Sequence, residues 1–388
     1  MADLITDPAE LIDVIRDASR ADRYAIDTEF HRERTYYPQV ALIQLAWERE
    51  VVLIDPLALD LHPLSELLDG PGLCVFHAGL QDLEVLDLAT GTVPTRMYDT
   101  QIAAGFLGIS SGSLASLLDT FMQVTVQKGD RLTDWLQRPL TADQLRYAAG
   151  DVDNLLELTD ILNERLAAQG RIAWAEEESE LQRLKHRNRR PPEDAVQRIK
   201  EARSLKGKAA RVARAVAEWR ERRAAALDLP VRQVLPDLAV VAVAQRAPTS
   251  VSELESLRGL DRRHTRNGAA EEILTAVQAG LRAPADAPPP ARQPELPREL
   301  RPVVTLVTSW IGQLARDNKL DPSLLATRAD VESILRQERS GRLTTGWRAE
   351  LVGMPIQQLV DGEAALAFDE GRLVLEARNH TSIAIQRN

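Results

Sequence analysis

The stretch YAIDTEF, residues 24–30, contains the sharpest feature of the sequence, because an apolar run is followed at once by acidic residues. It begins as an apolar, strand-like run, and Asp27 and Glu29 follow with one residue between them. Residues i and i+2 of a strand project from the same face. Two carboxylates on one face repel each other unless a cation lies between them, and divalent cations such as Mg²⁺ take oxygen ligands. The stretch therefore indicates a metal-binding strand end, although a lone pair of this kind is also common on ordinary surfaces.

Other strand-like and helical patterns surround this stretch. Apolar runs rich in β-branched residues predict further strands at 40–46, 51–54 and 73–76. Apolar spacing predicts helices at 82–88, 113–122 and 141–166. The last helix has Thr141 as a candidate N-cap and Gln144 at its third position, which is the capping-box pattern. Strands followed by helices, with some alternation, predict an α/β or α+β sheet domain.

The rest of the chain predicts helical units separated by connectors. A basic segment interrupted by Pro191 and Pro192 precedes a long helical pattern. Seven prolines between Pro284 and Pro302 predict a semi-rigid linker, because proline is excluded from a helix interior. A second helical pattern ends in alternating residues that predict a small hairpin around Glu370. The predicted order is sheet domain, basic connector, first helical unit, linker and second helical unit: 1–178, 179–205, 206–281, 282–302 and 303–380.

Length and composition exclude several classes of protein. The chain has 388 residues, of which 44% are hydrophobic and 27% charged, so it is neither disordered nor a membrane-embedded protein. A single cysteine, Cys74, excludes an internal disulfide framework and a cysteine-rich zinc site. The first 20 residues are acidic and amphipathic, unlike a secretory signal. A cytoplasmic protein with no membrane partner is expected.

Charge is distributed unevenly along the sequence. The net charge is −10 overall, but residues 1–100 carry 7 basic and 19 acidic side chains. Residues 181–230 carry 15 basic and 6 acidic ones. An acidic cluster can hold divalent cations and a basic stretch can hold phosphates. Solvated surface charge is the alternative explanation for both segments.

Three further segments of the sequence contain residues that could act together with Asp27 and Glu29. Asp82 comes shortly after the predicted strand at 73–76, and Asp99 follows another possible strand. Tyr147 and Asp151 are four residues apart, one turn along the same helix face. A phenol and several carboxylates in this order are suited to metal-dependent hydrolysis, since carboxylates bind Mg²⁺ or Mn²⁺ well.

Taken in order, these motifs resemble the 3′–5′ exonucleases of the ribonuclease D family over about residues 1–170. The matching residues are Asp27-Thr28-Glu29-Phe30, Tyr36-Tyr37-Pro38, Leu42-Ile43-Gln44-Leu45, His77-Ala78-Gly79 with Asp82, Tyr98-Asp99-Thr100, Lys128, Asp134-Trp135, Arg138-Pro139-Leu140, and Tyr147-Ala148-Ala149 with Asp151. The resemblance implies an α/β, ribonuclease H-like exonuclease domain with a mixed sheet.

The resemblance also implies the roles of individual residues. The metal ligands would be Asp27, Glu29, Asp82 and Asp151, holding two ions of Mg²⁺ or Mn²⁺, with Tyr147 near the attacking water. Nucleic-acid contacts would come from Thr28, Phe30 and His77. The open alternatives are core packing for Phe30, a loop-holding role for His77, and a capping role for Asp99 in preference to that of a fifth ligand.

The first helical unit resembles the HRDC domain shared by RecQ-type helicases and ribonuclease D. The resembling residues include Ala217-Glu218-Trp219-Arg220, Val234-Leu235-Pro236-Asp237 and Leu257-Arg258-Gly259. This implies nucleic-acid binding, with Arg220, Arg222 and Arg223 as candidate phosphate contacts. Residues 303–380 resemble a second, divergent copy, so two small all-α domains are expected. A helicase and a nucleotide cofactor are excluded because the sequence lacks a GxxxxGK[ST] loop.

The expected function is a metal-dependent 3′–5′ exoribonuclease that acts on structured RNA with a single-stranded 3′ end. Transfer RNA precursors are the expected substrate, and 5′-mononucleotides are the expected product. The alternatives are a 3′–5′ DNA exonuclease, which would use the same chemistry, and a non-catalytic RNA-binding protein with a decayed site.

Overall fold

The computed structural model describes residues 2–126, 133–185, 191–284, 296–338 and 340–378. A six-stranded mixed sheet organises the first part of the chain. Its strands are β1 (Asp3–Ile5), β2 (Arg23–His31), β3 (Gln39–Trp47), β4 (Glu50–Ile54), β5 (Leu73–Phe76) and β6 (Met97–Asp99). Their order across the sheet is β1-β4-β3-β2-β5-β6. The β2–β3 and β3–β4 pairs are antiparallel, and the other neighbours are parallel.

Helices cover both faces of this sheet. They are α1 (Pro8–Ala18), α2 (Ser65–Leu68), α3 (Leu80–Thr90), α4 (Thr100–Gly105), α5 (Leu114–Met122), α6 (Ala142–Asp153), α7 (Leu155–Ala167) and α8 (Ile172–Lys185). Leu11 of α1 and Leu83 of α3 are buried in one core with Ile26 of the central strand β2. On the opposite face, α6 packs on β2, β3 and β4, and α7 packs on β2 and β5. The sheet is therefore buried on both sides.

The second part of the chain is mostly helical. Two 3₁₀ segments, Pro192–Arg198 and Lys200–Ser204, lead into α9 (Gly207–Leu227), α10 (Val231–Val234), α11 (Asp237–Arg246), α12 (Val251–Glu255) and α13 (Ala269–Arg282). After the undescribed residues 285–295 come α14 (Arg301–Asn318), α15 (Pro322–Leu325), α16 (Arg328–Leu335), α17 (Gly346–Arg348), a π-turn (Ala349–Gly353) and α18 (Met354–Val360). Strands β7 (Ala364–Asp369) and β8 (Arg372–Ala377) end the described chain.

All four predicted strands and the predicted hairpin are confirmed. The pattern at 51–54 becomes β4, and β7 and β8 are joined by Glu370 and Gly371, both at positive φ. This hairpin also corrects the expectation that the last unit is all-helical. The prediction of one helix over 141–166 is wrong, because the chain breaks at Asn154, whose φ of −103° and ψ of 3° separate α6 from α7. Lys128 and most of the proline-rich segment lie outside the described residues.

Aromatic stacking joins the last unit to the sheet domain. The indole of Trp347, which belongs to α17, stacks on Trp174 of α8 with ring centroids 4.9 Å apart and planes at 15°. Phe106 meets Trp347 edge-on at 5.2 Å. Backbone contacts extend this interface, since the Asp321 amide donates to the Gly105 carbonyl at 2.8 Å. The sheet domain and the C-terminal unit consequently share one hydrophobic core.

A buried ion pair lies in the same interface. The guanidinium of Arg348, only 2% exposed, donates to the carboxylate of Glu178 on α8, which is 6% exposed, and to the Leu324 carbonyl at 2.6 Å. Arg342 contacts the same carboxylate at 3.4 Å. Burial lowers the pKa of Arg348 to about 10. Removing one partner of such a pair leaves an uncompensated charge, which costs more than the pair itself contributes.

We expect Arg348→Met to destabilise the protein by about 3 kcal/mol, because Glu178 would keep only the longer contact to Arg342. Thermal unfolding followed by circular dichroism measures the effect. Arg16→Met is the matched control, since Arg16 forms an exposed pair with Asp13 and its loss is expected to cost less than about 1 kcal/mol. Equal unfolding temperatures for the two variants would contradict the expectation.

Candidate active site

Strand β2 and helix α6 bring three carboxylates together. Asp27 and Glu29 alternate with Thr28 on β2, so both point to the face of the sheet on which α6 packs. Asp151, in the last turn of α6, approaches from above this face. One carboxylate oxygen from each of the three residues lies within 4.8 Å of the others, and all three side chains are partly buried. This geometry can hold a metal ion.

The electrostatics of this cluster favour a bound cation. Burial, together with the charges of Asp82, Asp151 and Glu29, raises the pKa of Asp27 well above its ordinary value. Burial and the neighbouring acids raise the pKa of Glu29 to about 8, and burial raises that of Asp151 to about 7. Carboxylates that are desolvated and crowded in this way take up protons unless a positive charge replaces them. The donor set, three or four hard oxygens, fits Mg²⁺ or Mn²⁺.

Asp82 lies beside this group, at the start of α3, and is held by Thr28. The hydroxyl of Thr28 donates to Asp82 Oδ1 at 2.5 Å, and the Thr28 amide donates to the same oxygen at 3.1 Å. The structure thus gives Thr28 a different role from the predicted nucleic-acid contact. Its side chain is 6% exposed and orients a carboxylate. Burial raises the pKa of Asp82 to about 6 despite these hydrogen bonds.

Tyr147 lies one turn before Asp151 on α6, as the sequence spacing predicted. Its ring lies near that of Trp135, with the two centroids 6.0 Å apart. Burial and the charge of Asp151 raise the pKa of Tyr147 above its ordinary value. The phenol therefore stays protonated at neutral pH and can donate a hydrogen bond.

Asp99 organises the turns beside the site. One of its carboxylate oxygens accepts from the Ala78 and Gln101 amides, and the other accepts from the Gly79 amide and from Gln182 Nε2, all at 2.7–3.0 Å. The expected capping role is confirmed, since Asp99 caps α4. It also fixes the turn that starts α3 and so positions Asp82.

The two other predicted nucleic-acid contacts of the sheet domain, Phe30 and His77, have different surroundings in the structure. Phe30 is half-buried with the Arg32 guanidinium over its ring, 5.6 Å from the centroid. His77 faces inward, where its Nδ1 lies 3.0 Å from the Thr100 hydroxyl and burial lowers its pKa. This arrangement favours the loop-holding alternative for His77.

The prediction for Arg220 is wrong, because its side chain is buried and bonded to Asp237 and to the Leu235 carbonyl. Arg222 is exposed but pairs with Glu193 and Glu218. Arg223 is 16% exposed and pairs with Glu272. These predicted phosphate contacts therefore pair with acids inside the basic segment, Glu193 and Glu218, and with acids beyond it, Asp237 and Glu272.

The basic segment 181–230 also contains cations that were not among the individually predicted phosphate contacts. Four exposed side chains have no ion-pair partner among the described residues: Lys200, Arg203, Lys206 and Lys208. The sequence could have indicated these free cations, because Glu201 is the one acid between positions 200 and 208.

Comparison with known proteins agrees with this geometry. Residues 3–167 match the family described as 3′-5′ exonuclease, and residues 209–277 match the HRDC domain. Ribonuclease D of Zymomonas mobilis is 34% identical over 385 residues, covering 96% of this chain and 97% of its own. Ribonuclease D of Nitrobacter hamburgensis is 35% identical over 97% of this chain and 100% of its own. The crystal structure of Escherichia coli RNase D superposes with a TM-score of 0.84 and 33% identity, covering 93% of this chain and 99% of that one.

A mixed sheet whose central strand carries paired acids, followed by an HRDC domain, defines a 3′–5′ exonuclease with an accessory helical region. The near-complete coverage at about one-third identity then gives the family: the chain belongs to the ribonuclease D family and is a 3′–5′ exoribonuclease. No helix among the described residues is long and apolar enough to cross a bilayer.

Neutralising one carboxylate of the cluster tests its electrostatics. In metal-free buffer we expect Asp27→Asn to unfold at the same temperature as the wild type or higher, because one of the crowded acids is removed. With Mn²⁺ added, the wild type gains stability and the variant gains much less, since ligand binding stabilises the folded state. Differential scanning fluorimetry measures both. The exposed Asp13→Asn is the control, and an undiminished Mn²⁺ effect in Asp27→Asn would refute the role of the cluster.

Proposed function

We propose that this exoribonuclease removes nucleotides from the 3′ ends of structured RNA, such as transfer RNA precursors, at a site built by Asp27, Glu29, Asp82, Tyr147 and Asp151. The observation that carries the proposal is the meeting of Asp27, Glu29 and Asp151 oxygens within 4.8 Å, although these residues are up to 124 positions apart in sequence. Such convergence is not expected for surface charge. The RNA substrate class is consistent with relatives named ribonuclease D.

The carboxylates would hold divalent Mg²⁺ or Mn²⁺, with Asp27, Glu29 and Asp151 as the inner set and Asp82 completing the acidic site. Two such ions activate water and stabilise the leaving oxygen in phosphodiester hydrolysis. Glu29 lies on β2 and Asp151 on α6, so two different elements would supply ligand oxygens. Thr28 keeps Asp82 oriented through its two hydrogen bonds. The product would be a 5′-mononucleotide.

Tyr147 would orient the attacking water by a hydrogen bond from its phenol. Its raised pKa argues against proton abstraction, because the neutral phenol persists throughout the neutral range. Tyr147 lies on α6 one turn before Asp151 and beside Trp135, so its ring is already in the site before substrate arrives. Preorganised donors of this kind lower a barrier without reorganising during the reaction.

The helical units would hold the body of the RNA. The unpaired cations at 200–208 lie on the 3₁₀ segment and the start of α9, where they can contact phosphates. We propose the domain division 1–178, 179–205, 206–281, 282–302 and 303–380. Helix α8 runs through position 178, so the connector begins within that helix.

We further propose that residues 303–380 are a second, divergent HRDC-like unit. Helix α9 ends at Asp228 in the left-handed region, and the short helix α10 follows. Helix α14 likewise ends at Lys319 in the left-handed region, and the short helix α15 follows. This repeated local arrangement supports a common ancestry of the two units, although the second one ends in a hairpin.

A transfer RNA with an extended 3′ tail tests the function directly. We expect stepwise shortening from the 3′ end with Mg²⁺ or Mn²⁺, none with EDTA, and none with Asp27→Asn. A matched DNA oligonucleotide distinguishes the alternative nuclease. Cleavage of the DNA alone would defeat the RNA substrate, and metal-independent shortening of the RNA would defeat the metal mechanism.

Removing the phenol hydroxyl separates water orientation from metal binding. We expect Tyr147→Phe to lower kcat by about 10²-fold, the size of effect seen when one preorganised donor is removed. The Mn²⁺-induced rise in unfolding temperature is expected to remain, because no carboxylate is lost. Single-turnover kinetics on the tailed RNA measure the rate. Tyr98→Phe, which removes a hydroxyl bonded to Asn163 at 2.7 Å, serves as control and should retain activity. A wild-type rate for Tyr147→Phe would exclude the orienting role.

A further inference from the structure

Gln44 is a fully buried polar residue in the middle of strand β3. Neither its Oε1 nor its Nε2 has a hydrogen-bond partner among the residues that the structure describes. Its neighbours along the strand are apolar, in the run VALIQLAW. A buried amide without a hydrogen-bond partner has lost its hydrogen bonds to water and gained none within the protein, which destabilises the folded state. Methionine fills a similar volume without this destabilisation. A packing role alone does not explain a glutamine at this position.

The strand register places Gln44 beside the carboxylate cluster. Asp27 is its direct partner on β2, and Leu53 is its direct partner on β4. Direct partners on antiparallel strands project from the same face, with Cβ atoms about 4.5–5.5 Å apart. Leu42, two positions earlier on β3, lies opposite Glu29. The amide of Gln44 therefore belongs to the same face as the acids.

Helix α6 closes this face from above. Leu42 and Leu53 pack with Ala148 of α6 in one small cluster, and Asp151 follows Ala148 by one turn. Gln44 is next to Leu42 on the same face of β3 and directly opposite Leu53 on β4. It is therefore enclosed between the sheet and α6, the helix that carries Asp151. Within this enclosure Asp27 is the direct cross-strand neighbour of Gln44, and Glu29 is a diagonal neighbour.

We propose that Gln44 is a positioning residue of the metal centre, whose Nε2 donates a hydrogen bond to the Asp27 carboxylate when divalent ions are bound. Carboxylates that bind a metal through one oxygen are held by hydrogen bonds to their neighbours, and losing such a partner weakens the metal. Gln44 would keep the ligand oxygen of Asp27 turned towards the ion. The inference rests on the proposed function, since it requires Asp27 to be a ligand.

The test compares Gln44→Met with Leu42→Met in the full-length protein. Both substitutions introduce methionine at fully buried positions of the same strand face, but only the first removes an amide. Mn²⁺ binding is measured by electron paramagnetic resonance without RNA, and folding by thermal unfolding in EDTA. We expect Gln44→Met to unfold no earlier than the wild type and to bind Mn²⁺ about tenfold more weakly. Leu42→Met should bind as the wild type does.

Wild-type Mn²⁺ affinity in folded Gln44→Met overturns the inference, and so does equal weakening by Leu42→Met, which would reveal a packing effect. If Gln44→Met does not fold, Gln44→Leu is measured in the same way, and failure of both to fold overturns the inference in favour of a folding role. Absence of Mn²⁺ binding by the wild type overturns the proposed metal site together with this inference, so the two failures are distinguishable.

Discussion

The repulsion among carboxylates on one face of the sheet is the constraint on which the active-site architecture depends. Asp27 and Glu29 cannot move apart, because both lie in the part of β2 that pairs with β3, opposite Gln44 and Leu42. Asp151 cannot withdraw, because α6 is packed on the same strands. The packing of the sheet domain therefore supplies the free energy that holds like charges together. A cation bound among these carboxylates would reduce their repulsion, and metal binding would therefore stabilise the folded protein.

Two sets of hydrogen bonds position the turns next to this carboxylate cluster. Thr28 ties β2 to the first turn of α3 through Asp82. Asp99 ties β6 and α4 to the turn before α3, where Ala78 has a φ of 60°. Both oxygens of Asp99 accept hydrogen bonds, and Oδ1 of Asp82 accepts both bonds from Thr28, so these contacts hold the two turns in place. The acidic face is consequently formed before any substrate binds.

The helical region is joined to the sheet domain by contacts of two kinds. The last unit shares a hydrophobic core with α8 and adds the buried pair of Arg348 and Glu178. The first unit makes polar contacts, in which Asp228 at the end of α9 accepts from the Tyr36 and Tyr37 amides at 3.0 Å. Those amides lie in the segment between β2 and β3, two elements that carry the site. An RNA held by the helical region would therefore approach a strand pair that the first unit itself contacts.

Local patterns were enough to predict strands β2 to β5, the terminal hairpin, the capping box of α6 and the acidic residues, because each depends on local periodicity or on residue chemistry. The sequence also placed Tyr147 and Asp151 on one helix face, since that spacing is a property of the helix. The folded structure was needed to show which polar side chains already have a partner within the protein. Arg220 and Thr28 look available in the sequence, yet one is paired with Asp237 and the other with Asp82. Ion pairing and burial are set by contacts between distant segments, and no local pattern records them.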